Sequence, residues 1–221
     1  MRGAAPVGTS GSLVTYSVYG VNGPSSTDGS ANSTYLDGSG NTQSNLDLGG
    51  NVGNNGNFHR NPSYGGRVGC FVPFSAHHDV EFGISGQTGE WDSGGQRRWS
   101  AAVLDGAVHI GSSVEFKGEY ISSWLQTNDV GTAKPDGWWV QGAYKFAGLD
   151  LDLPLVNSLE LVARYDTMHD GLGTSTDRST AGFVYYFSNT FQLEGDYEWF
   201  HSQGPYATPG SGFILQLSYG F

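Results

Sequence analysis

The chain has 221 residues, a net charge of -11, 35 Gly and one Cys, with 14% aromatic and 14% charged residues. One cysteine excludes an internal disulfide framework and a cysteine-cluster metal site, and the acidic balance argues against nucleic acid, which requires a basic patch. The aromatic share is too high for a disordered chain, and no apolar run is long enough for a transmembrane helix. A folded, Gly-rich β protein is therefore expected.

Alternation of apolar and polar residues predicts about ten β-strands along the chain. It is clearest in the last one, where Phe213, Leu215 and Leu217 alternate with Gln216 and Ser218. In chain order the predicted strands lie near residues 11–20, 64–74, 79–88, 98–110, 113–125, 137–147, 158–168, 177–188, 190–201 and 212–221. An even number of strands joined by alternately longer and shorter links is typical of bacterial outer-membrane barrels. We therefore predict one domain over residues 1–221, an antiparallel transmembrane β-barrel in the bacterial outer membrane.

The link at 21–63 is long, rich in Gly and Asn, and nearly without apolar residues. Loops of this length are usually functional or disordered. We predict an extracellular loop that folds into the lumen, covers the mouth or stays outside. Within it, the Asp37–Asn41 stretch resembles a calcium loop in composition but lacks the sixth-position Gly and terminal Glu of an EF-hand. No metal ligands are therefore assigned.

The six tryptophans fall toward one rim of the predicted barrel, with Trp91 in a link and the others at strand ends, while several phenylalanines fall toward the other rim. Two such belts are expected where aromatic rings lie at two lipid interfaces. The alternative is a soluble β-sandwich with these rings in its core. The predicted interface aromatics are Trp99, Trp124, Trp138, Trp139, Trp199 and Phe221.

If the apolar face meets lipid, the opposite face lines the interior, because a charge facing lipid at the midplane costs about 2–4 kcal/mol for Arg or Lys. Each charged residue there could instead serve only in an interior salt-bridge network. Acids outnumber bases on this face, which favours a wet, ion-rich interior. The predicted lumen-lining residues are Arg67, Asp105, Glu115, Lys117, Glu119, Lys145, Glu160, Arg164, Asp166, Arg178, Glu194, Asp196 and Glu198.

One arrangement suggests catalysis at the outer rim. His169 and Asp170 lie beside Asp166, with His201 at the same level two strands on. However, no G-x-S-x-G nucleophile motif is present, and these residues are common at rims. We therefore predict that the chain is not an enzyme, with no catalytic residues and no cofactor.

Seven segments in order resemble the C-terminal part of the phosphate-selective porin O and P family: Val18–Pro24, Tyr64–Gly69, Gly118–Ser123, Gly137–Phe146, Leu159–Asp166, Thr176–Arg178 and Phe213–Phe221. The resemblance implies a trimeric, water-filled channel of about sixteen strands, and a terminal Phe221 read by the barrel-assembly machinery. Two departures matter. Ten strands imply that N-terminal strands are missing or that a smaller barrel closes, and the acidic surplus opposes phosphate selectivity.

These observations predict a porin-like channel for passive diffusion of small hydrophilic solutes or ions. The alternative is a non-conducting barrel that serves as a structural or docking part of an outer-membrane assembly, with the 21–63 loop as its contact surface; a rim-site hydrolase is a more remote one. Expected partners are outer-membrane lipid, the barrel-assembly machinery acting through the C-terminal strand, and a homotrimer or larger assembly, but not nucleic acid.

Overall fold

The chain forms an almost entirely β structure. A computed structural model describes residues 1–8, 11–24, 30–36, 40–44, 62–149, 152–188, 190–205, 207 and 210–220. Its strands are β1 (Arg2–Val7), β2 (Ser12–Val21), β3 (Thr34–Leu36), β4 (Thr42–Ser44), β5 (Ser63–Ser75), β6 (His78–Glu90), β7 (Arg98–Ile110), β8 (Val114–Gln126), β9 (Thr132–Ala133), β10 (Asp136–Lys145), β11 (Leu159–His169), β12 (Ser175–Ser188), β13 (Phe191–Gln203) and β14 (Gly210–Tyr219). A 3₁₀ turn (Phe146–Leu149) and the short helix α1 (Pro154–Asn157) follow β10. No helix in the described part of the chain is long and apolar enough to cross a membrane.

Twelve strands form one sheet, in which sequence neighbours pair with each other. The order is β1-β2-β5-β6-β7-β8-β10-β11-β12-β13-β14, with β9 on β8, while β3 and β4 form a separate hairpin. Every pairing along this order is antiparallel. The antiparallel all-β fold predicted from the sequence is therefore confirmed.

The ten predicted strands all occur, as β2, β5 to β8 and β10 to β14. The prediction missed β1, whose Arg-Gly-Ala-Ala-Pro-Val sequence has no apolar alternation, and the two- and three-residue strands β3, β4 and β9. The strand predicted over 137–147 ends at Lys145, where the 3₁₀ turn begins. Short strands carry too few residues to show a period of two, which is why the pattern failed there.

The strand connections differ between the two ends of the sheet. At one end, called here the loop end, strands are joined by residues 22–62, 91–97, 127–135, 170–174 and 204–209. At the other, the turn end, four of the five links are short, as at 111–113, where Gly111 takes a positive φ of 66° that glycine adopts without strain. The fifth, at 146–158, is longer and contains the 3₁₀ turn and α1. With this exception, longer links at one end and short ones at the other agree with the pattern of outer-membrane barrels.

The strand register separates two faces. The polar face carries Arg67 of β5 and, on the neighbouring strands, the alternate residues that the register places on the same side of the sheet. Asp105 of β7, for example, lies opposite Gly83 of β6 and Glu119 of β8. The apolar face carries the alternate positions, and its large side chains are exposed, with Leu104 at 55%, Phe82 at 55% and Leu217 at 64%. In a protein that packed this face against a second sheet, these side chains would be buried. An exposed apolar face of this extent is suited to contact with lipid.

Candidate functional site: the polar face of the sheet

All thirteen residues predicted to line the lumen lie on the polar face. They come from strands β5, β7, β8 and β10 to β13, and the register aligns them across the sheet, as in Glu119 opposite Trp139 and Asp166 opposite Arg178. The structure brings most of them together in three groups of ion pairs. It also brings Glu81, His109 and Asp79 into these groups, and of these three only Asp79 was not expected on the polar face from the sequence.

The first group is centred on Arg67 of β5. Its Nε donates a hydrogen bond to Asp105 Oδ2 at 3.0 Å, its Nη2 donates a shorter one to Asp105 Oδ1, and Nη2 also lies 3.1 Å from Glu81 Oε1. Gly69 and Gly83 provide the space for this guanidinium, since a Cβ on Gly83 would lie 2.5 Å from Nη2. One arginine therefore joins three neighbouring strands across the polar face.

This packing predicts the effect of a side chain at Gly83. Gly83→Val should displace the Arg67 guanidinium, separate it from Asp105 and lower the free energy of unfolding by about 1–2 kcal/mol, since half-exposed charged hydrogen bonds are worth less than buried ones. Gly86→Val, three residues further along β6 on the apolar face, is the matched control, because its Cβ would meet only a backbone oxygen at 3.6 Å. Urea unfolding in lipid vesicles measures both, and equal losses would contradict the assigned role of Gly83.

The second group lies toward the turn end. His109 bridges two acids, with Nδ1 at 2.6 Å from Asp79 Oδ1 and Nε2 at 3.1 Å from Glu115 Oε2. Lys117 Nζ lies 2.7 Å from the other oxygen of Glu115. Beside it, Lys145 Nζ is 4.0 Å from Glu160, whose carboxylate accepts a hydrogen bond of 2.8 Å from the Tyr186 hydroxyl.

The third group lies on β10 to β13. Asp166 accepts hydrogen bonds from Arg178 Nε at 2.9 Å and from Arg164 Nε at 3.2 Å, and Arg178 Nη1 reaches Glu198 at 3.1 Å. The Arg164 guanidinium lies over the Trp139 ring, 4.4 Å from its centroid. Trp139 therefore contributes a cation–π contact to the polar face.

The polar face carries more negative than positive charge. On β5 to β13 its five Lys and Arg residues are each within 4.0 Å of an acid. Ten acids stand on the same face of these strands: Asp79, Glu81, Asp105, Glu115, Glu119, Glu160, Asp166, Glu194, Asp196 and Glu198. Among the described residues, no cation lies within ion-pair distance of Glu119, Glu194 or Asp196.

Two of the aromatic residues predicted at the membrane interface are placed elsewhere. Trp139 stands on the polar face as described, and Trp99 is only 6% exposed inside an apolar cluster. The prediction that these two rings lie at the membrane interface is therefore corrected, and strand register is the reason. Neighbouring residues of a strand point to opposite faces, so only one ring of the pair Trp138–Trp139 can face lipid. Trp99 pairs with Leu125, which places it on the polar face. Trp124, Trp138 and Trp199 are exposed on the apolar face, at 39%, 39% and 48%, and Phe221 lies outside the described residues.

An apolar cluster, called here the cap, covers the polar face at the loop end. It consists of Ala31, Trp91, Trp99, Ala101, Leu125 and Ala133, with the partly buried Leu172 packed against it. Trp91 and Leu125 are fully buried, and Trp91 Nε1 donates a hydrogen bond of 2.9 Å to the Gln126 carbonyl. Sequence reasoning missed the cap because its members come from five separate segments of the chain.

The suggested rim constellation is not assembled. His169 Nδ1 lies 3.4 Å from Asp136, whereas Asp170 Oδ1 accepts backbone hydrogen bonds from Leu172 and Thr174 in the loop that follows β11. His201 lies 3.0 Å from Gln203. Asp170 therefore shapes a loop, and His169 has a different carboxylate as its neighbour.

Comparison with known proteins identifies the fold. No protein-family model matches the sequence. A search of curated proteins gives no match either. Among solved structures, the chain is similar to OmpTdeltaL8, a loop L8 deletion mutant of OmpT, an outer membrane protein of Vibrio cholerae, with a TM-score of 0.51 and 12% identity over 94% of this chain and 75% of that one. The chain thus has the fold of an outer-membrane β-barrel protein, and this fold with its exposed apolar face places it in the bacterial outer membrane, as predicted.

The same finding corrects the prediction that the chain is not an enzyme. That prediction relied on a missing nucleophile motif and on the interpretation of the chain as a passive barrel. The likeness to the outer-membrane protein, at 12% identity, shows the fold and leaves the activity undetermined. One fold supports many activities, so a fold cannot exclude catalysis. The exclusion was therefore wrong.

Proposed function

We propose that the chain is a porin-like channel through which small hydrophilic solutes cross the outer membrane passively, with a preference for cations. The observation that carries the proposal is the polar face, where charged side chains from β5 to β13 stand in line while apolar side chains cover the opposite face. A charged interior holds water and ions, which is the condition for diffusion across a barrel. The segments that resemble the phosphate-selective porin O and P family support a porin, but not its selectivity.

The proposed cation preference comes from acids that have no cationic neighbour within the part of the chain that the structure describes. Arg67, Arg164 and Arg178 are held by carboxylates, so their charge is largely compensated within the protein. Glu119, on β8, and the pair Glu194 and Asp196, on β13, keep uncompensated charge that attracts mobile cations. The proposed arrangement directs the loop end outward, makes residues 21–63 the extracellular loop of a single barrel domain, and takes outer-membrane lipid, the barrel-assembly machinery and further copies of the chain as partners.

Neutralising these three acids should lower the cation-to-anion permeability ratio at least twofold. The triple variant Glu119→Gln, Glu194→Gln and Asp196→Asn is compared with wild type in planar bilayers at salt of about 0.1 M or below, where the Debye length is about 10 Å and surface fields still act. Asp177→Asn, on the opposite side of β12, removes a carboxylate from the apolar face and should leave the ratio unchanged.

Two results would contradict the proposal. An unchanged ratio in the triple variant would remove the cation preference. Bilayers that stay silent although the protein is correctly folded would remove the channel, and would favour a structural or docking barrel instead.

A further inference from the structure

Residues 30–36, called here the strap, lie in the long link between β2 and β5 yet pack against a distant part of the chain. Ala31 is 2% exposed and Ser33 is 4% exposed. Ala31 belongs to the cap with Trp91 and Leu125. The strap is thus packed against the cap at the loop end of the sheet through its first half.

The strap is held by the loop between β8 and β9. Asp129 accepts hydrogen bonds from the Ser33 backbone N–H at 3.0 and 3.1 Å and from the Ser33 hydroxyl at 2.8 Å. The Asn128 N–H donates to the Ala31 carbonyl at 2.8 Å, and the Asn128 side chain accepts from Arg97 Nε at 2.8 Å. Burial raises the pKa of Asp129, but hydrogen bonds from Ser33 and from the backbone N–H groups of Asp129 and Val130 together outweigh it and hold this pKa below its usual value. The carboxylate is therefore charged, and each of its hydrogen bonds to Ser33 is charge-assisted.

The strap and its neighbours bury the polar-face positions beneath them. Ala101, Ser123 and Leu125 are 9%, 7% and 0% exposed. Two polar-face positions further from the loop end, the side chain of Asp105 on β7 is 25% exposed. Access to the charged part of the face is thus narrowed at the loop end by a segment that the N–H and the hydroxyl of Ser33 attach to Asp129 through charge-assisted hydrogen bonds.

We propose that the strap sets the size limit for solutes that enter from the loop end, with Asp129 as its positioning residue. This inference rests on the proposed channel function and names the property of the solute that the site selects, its cross-section. Small hydrophilic solutes pass beside the seated strap, and larger ones enter only when the contact between Ser33 and Asp129 is broken.

A thiol-labelling experiment tests the strap without requiring conduction. Cys70 is the single cysteine of the chain, so Ala101→Cys in a Cys70→Ala background places one thiol inside the cap, where Ala101 is 9% exposed. Asp129→Ala should increase its rate of reaction with a water-soluble maleimide at least tenfold. Gln141→Cys, on the uncapped part of the polar face, is the matched control and should react at the same rate with or without Asp129.

Conductance then tests the size limit. In planar bilayers, Asp129→Ala should raise single-channel conductance at least twofold and admit larger polyethylene glycols than wild type. Asp129→Asn, which keeps the side-chain size, should give a smaller increase and controls for misfolding. If Asp129→Ala leaves the labelling rate of Ala101→Cys unchanged, or raises that of Gln141→Cys tenfold, the proposed role of Asp129 in holding the strap is wrong. If the protein conducts but Asp129→Ala changes neither the conductance nor the size of the polymers that enter, the size limit is wrong. Faster labelling with silent bilayers supports the contact between the strap and Asp129 but overturns the channel, and with it the size limit.

Discussion

Leu104→Arg should destabilise the protein in lipid by about 2–4 kcal/mol, the cost of an arginine that faces lipid at the bilayer midplane. Leu104 is the middle residue of β7 and is 55% exposed on the apolar face. Its neighbours across the sheet, Ile84 and Tyr120, provide no charge to pair with. The free energy of unfolding in phospholipid vesicles, measured by urea titration, checks this value.

Val103→Arg is the matched control. Val103 precedes Leu104 on β7 but stands on the polar face, two residues from Asp105, so its guanidinium has water and a carboxylate within reach. We expect a loss below about 1 kcal/mol, because side chains that face a lumen change selectivity more than stability. If Leu104→Arg and Val103→Arg cost the same, or if the protein is soluble and folded without detergent, the apolar face does not meet lipid.

Trp91→Ala should cost about 3–5 kcal/mol, the usual range for removing a large buried aromatic side chain. Trp91 is fully buried in the cap and also donates a hydrogen bond to Gln126. Its removal leaves a cavity at the loop end, where Ala31, Trp99 and Leu125 lose their central contact. The loss should be seen as a lower urea midpoint and as faster hydrogen exchange of residues 30–36.

Trp124→Ala separates this effect from the loss of any tryptophan. Trp124 is 39% exposed on the apolar face, and lipid fills the space that its ring leaves, so no cavity forms and we expect a clearly smaller loss. Hydrogen exchange of the strap should not change. A loss at Trp124 equal to that at Trp91 would show that the cap does not contribute to stability beyond an ordinary surface ring.

The fold could be predicted because its signal is local. Phe213, Leu215 and Leu217 repeat every two residues, and this period is visible without knowing any partner strand. The sequence pattern did not predict β1, which contains Pro6, or β3 and β4, which have three residues each. These segments are strands only because they pair with neighbouring strands.

The candidate site could be predicted only in its composition. Alternation assigned Arg67, Asp105 and Glu119 to one face, but the partner of each charge depends on which residues the register brings opposite one another. The bridge from Arg67 to Asp105 joins residues 38 positions apart, across two strand pairs. The glycine at position 83 that makes room for it had no visible reason in the sequence.

The sequence by itself determined that the chain has two chemically different faces, that ten of its segments form strands and that acids dominate one face. These follow from side-chain chemistry repeated at a fixed spacing, which needs no long-range contact. Only the tertiary structure decided that Trp99 is buried, that Trp139 stacks on Arg164, and that the strap is held at Asp129. Those outcomes depend on cross-strand register and on loops that meet although their residues are 96 positions apart, and both are set by packing of the whole sheet.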